Sequence, residues 1–419
     1  MDILLQKFFE KERWEDALEV GVGKGINKGE LKKLTSPQVR LAMYNAIISD
    51  NYEIAPPHQA EIPKDNGDVR IVYVNENVDR IFLSIANNLF FELFPEHVHK
   101  SCKSYQSGIG CGRIVQDVSR KIINTDSNVV GVKMDLTKYF DTVPIKYVDQ
   151  IFDCIERKVG KSKIIDIVRK YYHTDLCFDI NGDLIEHYQS LKQGCAVASF
   201  LADAVLYDID ETISQLDVYY VRYSDDLLVL GTEWQKAQRK INEMLTDMSL
   251  TLNPKKVEPV YKDRWVKFLG FNIKGSQITL SKSRVKTFQK EIEARTIKQR
   301  DISMTRAINK VNNYLYKGDG KYSWATSVLP IINVEKDIDT LNTFVMDAIR
   351  TCVTNKKKIG GLGSVNDKED YTILRGTGKN VTANRVKTEQ TIEGFRTLKC
   401  MQNALLTNRA VYETLVRTM

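Results

Sequence analysis

Hydrophobic and polar positions divide this chain into recognisable blocks. Residues 1–50 carry apolar positions at helical spacing: "MDILLQKFFEKERWEDALEV" is amphipathic, a Gly-rich break follows, and a second helix is predicted to run to Ile48. "YEIAPPHQAEIPKDNGDVRIVYV" reads as two strands around a turn at Asp65-Asn66-Gly67-Asp68. "NENVDRIFLSIANNLFFELF" places Ile81, Ile85, Leu89 and Leu93 on one helical face, and "SNVVGVKMDL" reads as a buried strand.

Residues 145–175 are predicted helical, and "LCFDINGDLIEHYQSL" a hairpin with Asn-Gly at its turn. "SFLADAVLYDIDETISQL" reads as a helix, "VYYVRYSDDLLVLG" as two short strands, "EWQKAQRKINEMLTDMSLTL" as a helix and "RWVKFLGFNIKGSQITL" as another hairpin. The order β-α-β-β-α-β around the acidic strand pair suggests a ferredoxin-like palm. From about residue 280 helices take over. The first carries Lys282, Arg284, Lys286, Lys290, Arg295, Lys298 and Arg300 against Glu291 and Glu293, a pattern that also suits a solvated helix face. Tyr314, Tyr316, Tyr322 and Trp324 follow and are read as packing in a helical bundle. Residues 355–385 read as a Gly-, Lys- and Asn-rich loop before a last helix near 387–416; "RGTGKN" within it lacks the spacing of a P-loop and is read as a turn.

Composition narrows the class. The chain has 419 residues, 42% hydrophobic and 27% charged, which is globular and long enough for two or three domains. A net charge of +7 suits a nucleic-acid partner without requiring one. Seven cysteines without a CxxC pair argue against a disulfide framework or zinc ribbon and for a reducing compartment. Neither a signal peptide nor an apolar run of membrane-spanning length stands out, so a cytoplasmic protein that does not engage membranes is expected.

Chemistry concentrates at Asp225 and Asp226. Two adjacent carboxylates between Val218–Val221 and Leu227–Leu230 are costly in apolar surroundings unless cations compensate them. An isolated Asp-Asp is also what an ordinary acidic turn presents. Asp135, at the end of the buried strand, strengthens the case: neighbouring strands of one sheet would bring the acids together. Such a set can hold two Mg²⁺ ions about 3.5–4 Å apart for in-line phosphoryl transfer.

Asp135 with Phe140 and Asp141, then Gln193-Gly194 with Ser199, then Tyr223-Ser224-Asp225-Asp226 resemble, in order and spacing, the A, B and C motifs of reverse transcriptases. "PKDNGDVRIVYVNENVDRI" resembles the fingers segment and the Asp-Arg motif after it, here Asp79-Arg80. "SYQSGIGCGR" resembles a motif of group II intron and retron enzymes, "LTLNPKKV" motif D, and "FLGFNI" the primer grip. The resemblance spans roughly residues 50–275. It implies an α+β right-hand polymerase: an N-terminal helical segment (1–50), fingers and ferredoxin-like palm (51–275), a helical thumb (276–350) and a C-terminal loop and helix extension (351–419). It implies Asp135 and Asp225 as metal ligands with Asp226 in support, for two Mg²⁺ ions with Mn²⁺ as the alternative. Lys64 and Arg70 would grip the triphosphate, Phe140 would exclude a 2′-hydroxyl, and Gln193 would touch the nucleotide where Gly194 allows close approach. Lys256, with Lys255 beside it, would protonate the leaving pyrophosphate.

The chain departs from some relatives. Ser224 stands where many bacterial enzymes have Ala, and Phe200 follows Ser199 where Pro is usual. No retron-type Val-Thr-Gly follows the palm ("VTANR" at 381–385 is distant), and no Cys/His-rich endonuclease tail is evident. By elimination the expectation is a stand-alone bacterial enzyme of antiphage defence, copying a structured non-coding RNA into DNA from dNTPs. The alternatives are a retron-type enzyme making RNA-linked DNA, a palm-fold RNA polymerase or nucleotide cyclase, and a non-catalytic RNA-binding scaffold. Priming by an RNA hydroxyl, a DNA end or a protein side chain stays open.

Overall fold

The computed structural model describes residues 2–22, 25–64, 67–106, 108, 110–299, 302–317, 323–354, 395 and 397–417. The N-terminal segment forms four helices: α1 (Ile3–Phe8), α2 (Lys11–Val22), α3 (Lys28–Leu34) and α4 (Pro37–Ile48). The expected single helix up to Ile48 is therefore two. Pro37 cannot continue α3, and at the first position of α4 its missing N–H is harmless, while Ser36 accepts from the Val39 N–H as a cap.

β1 (His58–Pro63) and β2 (Val69–Val74) pair antiparallel, followed by α5 (Asn77–Leu93), on which Ile81, Ile85 and Leu89 are buried. Then come α6 (Cys111–Asn124), β3 (Val129–Asp135), α7 (Tyr139–Thr142), α8 (Ile145–Val159) and α9 (Lys163–Tyr172). β4 (Leu176–Phe178) and β5 (Leu184–Glu186) are the expected hairpin. The long helix read at 199–216 is interrupted at Leu206, giving α10 (Ala198–Val205) and α11 (Tyr207–Ser214). β6 (Tyr219–Tyr223), β7 (Asp226–Leu230), α12 (Trp234–Asp247) and β8 (Glu258–Tyr261) complete the central motif.

Its sheet has the order β6-β7-β3-β8. With α10 and α11 between β3 and β6, and α12 between β7 and β8, this is the β-α-β-β-α-β arrangement expected for a ferredoxin-like palm. β3 and β7 approach closely at Gly131, where a Cβ would lie 2.0 Å from the Val229 carbonyl oxygen, so no side chain fits. A second sheet, β2-β1-β4-β5, belongs to the same compact unit, made of residues 1–107 and 129–260. Phe90 anchors its core against Phe152 and Phe200, with ring centroids 6.1 and 5.5 Å away.

The second unit comprises residues 108–128 and 261–419. Its sheet is a three-stranded meander, β9 (Val266–Phe268), β10 (Phe271–Lys274) and β11 (Gln277–Leu280), where the sequence suggested a hairpin. A turn at Leu269-Gly270, both with positive φ, adds the third strand. α6 belongs to this unit: Ser119 Oγ donates to the Gly275 carbonyl at 2.7 Å. Helices α13 (Lys282–Arg295), α14 (Met304–Asn312), a π-helical turn (Asn313–Lys317), α15 (Trp324–Ser327) and α16 (Glu335–Thr354) follow. The last helix expected near 387–416 is, among the described residues, two: α17 (Leu398–Thr407) and α18 (Arg409–Arg417), parted at an extended Asn408 whose side chain accepts from the Ala410 N–H. Tyr316 and Trp324 are buried, and Phe288 packs 4.8 Å from Trp324, so these aromatics form the bundle core. Tyr322, Arg300 and the loop read at 355–385, with its "RGTGKN" and "VTANR" strings, lie outside the described residues.

Candidate active site

The β6–β7 hairpin and the end of β3 bring the acids together. In register, Asp135 lies opposite Asp226, and Tyr223 opposite Asp226 on the other side. Ser224 and Asp225 make the turn, with Ser224 in the left-handed region at φ 56°. Backbone bonds fix the frame: the Leu136 N–H donates to the Asp225 carbonyl at 3.2 Å, and the Asn253 N–H to the Asp135 carbonyl at 2.8 Å.

The electrostatics separate the two acids of the hairpin. Burial raises the Asp225 carboxyl above the usual range, and the like charge of Asp135 adds to the rise. Burial pushes Asp226 up to about 6, and the charge that most offsets this is Lys133. Lys256 Nζ lies 2.8 Å from both Asp135 oxygens. The Lys255 N–H donates to Asn253 Oδ1, and both lysines are exposed; the bond to Asp135 makes Lys256 the lysine of this loop that enters the site. Among the described residues no three His, Cys, Asp or Glu side chains form a ready-made cation cage. The donor set nonetheless fits divalent cations: hard carboxylate oxygens crowded at one sheet end, with the charge of Asp135 adding to the rise of Asp225 and Asp226, and an ammonium already bridging Asp135.

Beside the acids lies a pocket of about 370 Å³ lined by Phe140, Gln193, Gly194, Asn87, Tyr105, Cys195 and Ser199. Phe140 is half-buried, and its carbonyl accepts from the Leu191 N–H at 3.0 Å, joining the segment after β3 to the Gln193 turn. The Gln193 carbonyl accepts from the Tyr73 N–H of β2 at 2.7 Å. Gly194 has φ +109°, and a Cβ there would sit 2.8 Å from the Tyr73 carbonyl oxygen. The close approach Gly194 allows is thus to β2. Arg70 pairs with Ile62 in the β1–β2 register, and its charge reaches both Asp141 and Asp225; that of Lys64 reaches Asp141. Asp79 is held inside, accepting from Tyr52 Oη at 2.7 Å and the Ala55 N–H at 3.0 Å.

Sequence reading missed two buried groups next to the site. Lys192, fully buried before Gln193, donates to the Thr174 carbonyl at 2.6 Å, and burial pulls its ammonium down to about 8. Arg222, before Tyr223, is fully buried with Asp210 and Asp203. The available signal was opposite charges embedded in apolar runs: "FLADAVLYDID" in the helices and "YYVRY" in the strand.

A ferredoxin-like sheet with carboxylates at the meeting of its central strands, a phosphate-suited basic hairpin and an adjoining pocket defines a polymerase palm of the right-hand class. Residues 62–273 match the reverse transcriptase (RNA-dependent DNA polymerase) family over just more than half the chain, and the chain belongs to that family. No curated protein matches it. Similar solved structures include telomerase from Candida albicans in complex with a TWJ fragment of telomeric RNA (12% identity, 88% of this chain and 65% of that one, TM-score 0.44). Two structures of apo telomerase from Candida tropicalis are similar as well. One, truncated from its C-terminal domain, has 15% identity over 57% of this chain and 59% of that one, with TM-score 0.38. The other has 12% identity over 87% and 66%, with TM-score 0.44. The chain thus spans less than two thirds of each of these proteins. Among the described residues no helix is long and apolar enough to cross a membrane.

Proposed function

We propose that this protein is an RNA-directed DNA polymerase that copies a structured RNA into DNA from dNTPs. The observation that carries the reading is the meeting of Asp135, Asp225 and Lys256 at one end of the palm sheet. Reverse transcriptase domains generally use divalent cations. Asp135 and Asp225 would hold two Mg²⁺ (or Mn²⁺) ions, which when bound supply Lewis-acid activation of the attacking 3′-hydroxyl and neutralise charge on the leaving pyrophosphate. Asp226, facing Lys133 electrostatically, supports the pair. Lys64 and Arg70 donate to the triphosphate. Phe140 closes the space a 2′-hydroxyl would need, and Gln193 meets the nucleotide from a turn braced on β2. Lys256 Nζ–H, once released from Asp135, gives its proton to pyrophosphate.

Residues 51–275 are read as fingers and palm, 276–350 as thumb and 351–419 as an extension. The test is primer extension on an RNA template. Incorporation of dNTPs, lost in Asp225→Ala/Asp226→Ala, is expected; equal activity in that double variant, or preference for rNTPs, overturns the reading. The narrower proposal is a cytoplasmic bacterial enzyme copying a dedicated non-coding RNA in antiphage defence; it rests on Ser224 and on Phe200 after Ser199, which depart from the usual motifs, and on the lack of a retron-type Val-Thr-Gly directly after the palm. Sequencing the nucleic acid that copurifies before and after phage infection tests it. One RNA with its cDNA supports it, and a random cellular mixture unchanged by infection rejects it.

Helix α13 supplies a further expectation. Lys282, Lys286 and Lys290 are exposed at spacing four, one stripe along the helix, whereas Arg295 is taken up by Glu291 and the Tyr314 ring and Lys298 by Glu293. A stripe like this suits a phosphate backbone. Replacing all three by Ala should weaken RNA–DNA duplex binding equally for all sequences. It should also reduce the slope of log K against log salt by about 2–3, as measured by fluorescence anisotropy from 50 to 300 mM salt (roughly the range where the slope is linear).

A further inference from the structure

Beneath the β6–β7 turn lies a buried charge network that none of the steps above uses. Arg222 Nε donates to Asp210 Oδ1 at 2.8 Å and its Nη2 to Asp210 Oδ2 at 2.6 Å, a bidentate pair with both residues fully buried. Asp210 Oδ1 also accepts from Tyr220 Oη at 2.7 Å. The remaining guanidinium donors go to backbone: Nη1 to the Ser224 carbonyl at 3.1 Å and Nη2 to the Asp203 carbonyl at 2.7 Å. Segment 101–104 runs alongside, with the Arg222 N–H donating to the Ser101 carbonyl and the Lys103 N–H to the Arg222 carbonyl. It delivers Ser104, whose Oγ donates to Asp203 Oδ1 at 2.5 Å and accepts from the Ser224 N–H at 2.9 Å.

Both backbone polar groups of Ser224 are therefore held from below, the N–H through Ser104 and Asp203, the C=O by Arg222. Ser224 is the left-handed residue immediately before Asp225, and left-handed backbone at a non-glycine persists only where its surroundings impose it. Buried ion networks add little net stability over apolar packing, so their use here points to geometry.

We infer that Ser104, Asp203, Asp210 and Arg222 are positioning residues that lock Ser224 and so fix the direction of the Asp225 carboxylate relative to Asp135. The inference rests on the reading of Asp225 as a cation ligand. Groups one shell behind a ligand commonly change cation affinity about 10–100-fold when removed.

The experiment uses the full chain with Ser104→Ala, Ser104→Thr and Arg222→Met, Mn²⁺ binding to nucleotide-free protein by electron paramagnetic resonance, thermal melting, and kcat and KM. Ser104→Ala removes one hydroxyl and leaves the Arg222–Asp210 pair intact. It should weaken Mn²⁺ binding and lower kcat each about tenfold, with KM for dNTP unchanged and Tm within about 3 °C of wild type. Ser104→Thr, which keeps the hydroxyl, should restore Mn²⁺ affinity. Arg222→Met should act in the same direction and more strongly; where it fails to fold, Ser104→Ala decides. Unchanged Mn²⁺ affinity in Ser104→Ala, whether Tm holds or falls, overturns the inference, as does Mn²⁺ binding by wild type that ignores Asp225→Asn. Wild type that binds Mn²⁺ through Asp225 and loses it in Ser104→Ala, yet extends no primer, sustains the positioning role and sinks the polymerase reading instead.

Discussion

Asp225→Asn is expected to abolish nucleotide incorporation and, in the same protein, to raise its melting temperature. The first effect follows from the loss of a carboxylate that would hold the catalytic cation. Several kcal/mol of transition-state stabilisation correspond to a fall in kcat of about a thousandfold or more. The second follows from burial and the neighbouring Asp135 charge, which both raise the Asp225 carboxyl. A carboxyl with a folded value above its unfolded one binds its proton more tightly when folded. Its contribution to stability is thus greatest below the unfolded value of about 4 and declines as pH rises through the folded value. The amide escapes that decline. Without divalent cations, the variant should melt about 1–3 °C above wild type at pH 7.5, and the gap should close near pH 4. Scanning calorimetry at the two pH values, with primer extension alongside, checks both halves. A variant that melts lower than wild type at pH 7.5 would mean Asp225 is held by contacts rather than merely tolerated.

Gly194→Ala should be nearly as damaging for a different reason. The new methyl meets backbone, the Tyr73 carbonyl at 2.8 Å and its nitrogen at 3.3 Å, so no side chain can swing away, and φ +109° is strained for any L residue. Strain and overpacking together cost about 2–4 kcal/mol. The simplest relief pulls the Gln193 turn off β2 and breaks the 2.7 Å bond from the Tyr73 N–H. Since Gln193 and Phe140 line one pocket, KM for dNTP should rise about tenfold or more while RNA binding is kept. Steady-state kinetics with a filter-binding control would show it, and an unchanged KM would remove the turn from nucleotide recognition.

The palm was legible because its strands are short, apolar and interrupted by acids at their ends. Short, nearly continuous apolar runs located β3, β6 and β7, and the acids at their ends suggested that adjacent strands of one sheet bring them together. Where the reading failed, local chemistry was outweighed by something sequence shows weakly. The helix to Ile48 breaks because Pro37 and Ser36 act together. The helix over 199–216 breaks at Leu206 with no Gly or Pro to announce it. The meander needs positive φ at Leu269, a residue that rarely adopts it. In the site, Phe140, Gln193 and Gly194 were found as members of motifs, but Gly194's partner, β2, lies 121 positions earlier at Tyr73 and no spacing rule reaches that far. Ser104, Asp203, Asp210 and Arg222 went unread for the same reason. Each is an ordinary polar residue alone, and only the fold makes them one network.

The bond between Lys256 and Asp135 has a bearing on how the site is loaded. An ammonium shared by both oxygens of the carboxylate, at 2.8 Å each, is a tethered placeholder. If Asp135 holds a divalent ion as proposed, admitting that ion would be an exchange and not a simple addition. The rival is covalently attached, so its effective concentration is set by the short loop carrying it and is untouched by dilution. On that proposal the chain matures with Asp135 already compensated, and the threshold of divalent ion for competence would be set within the protein itself.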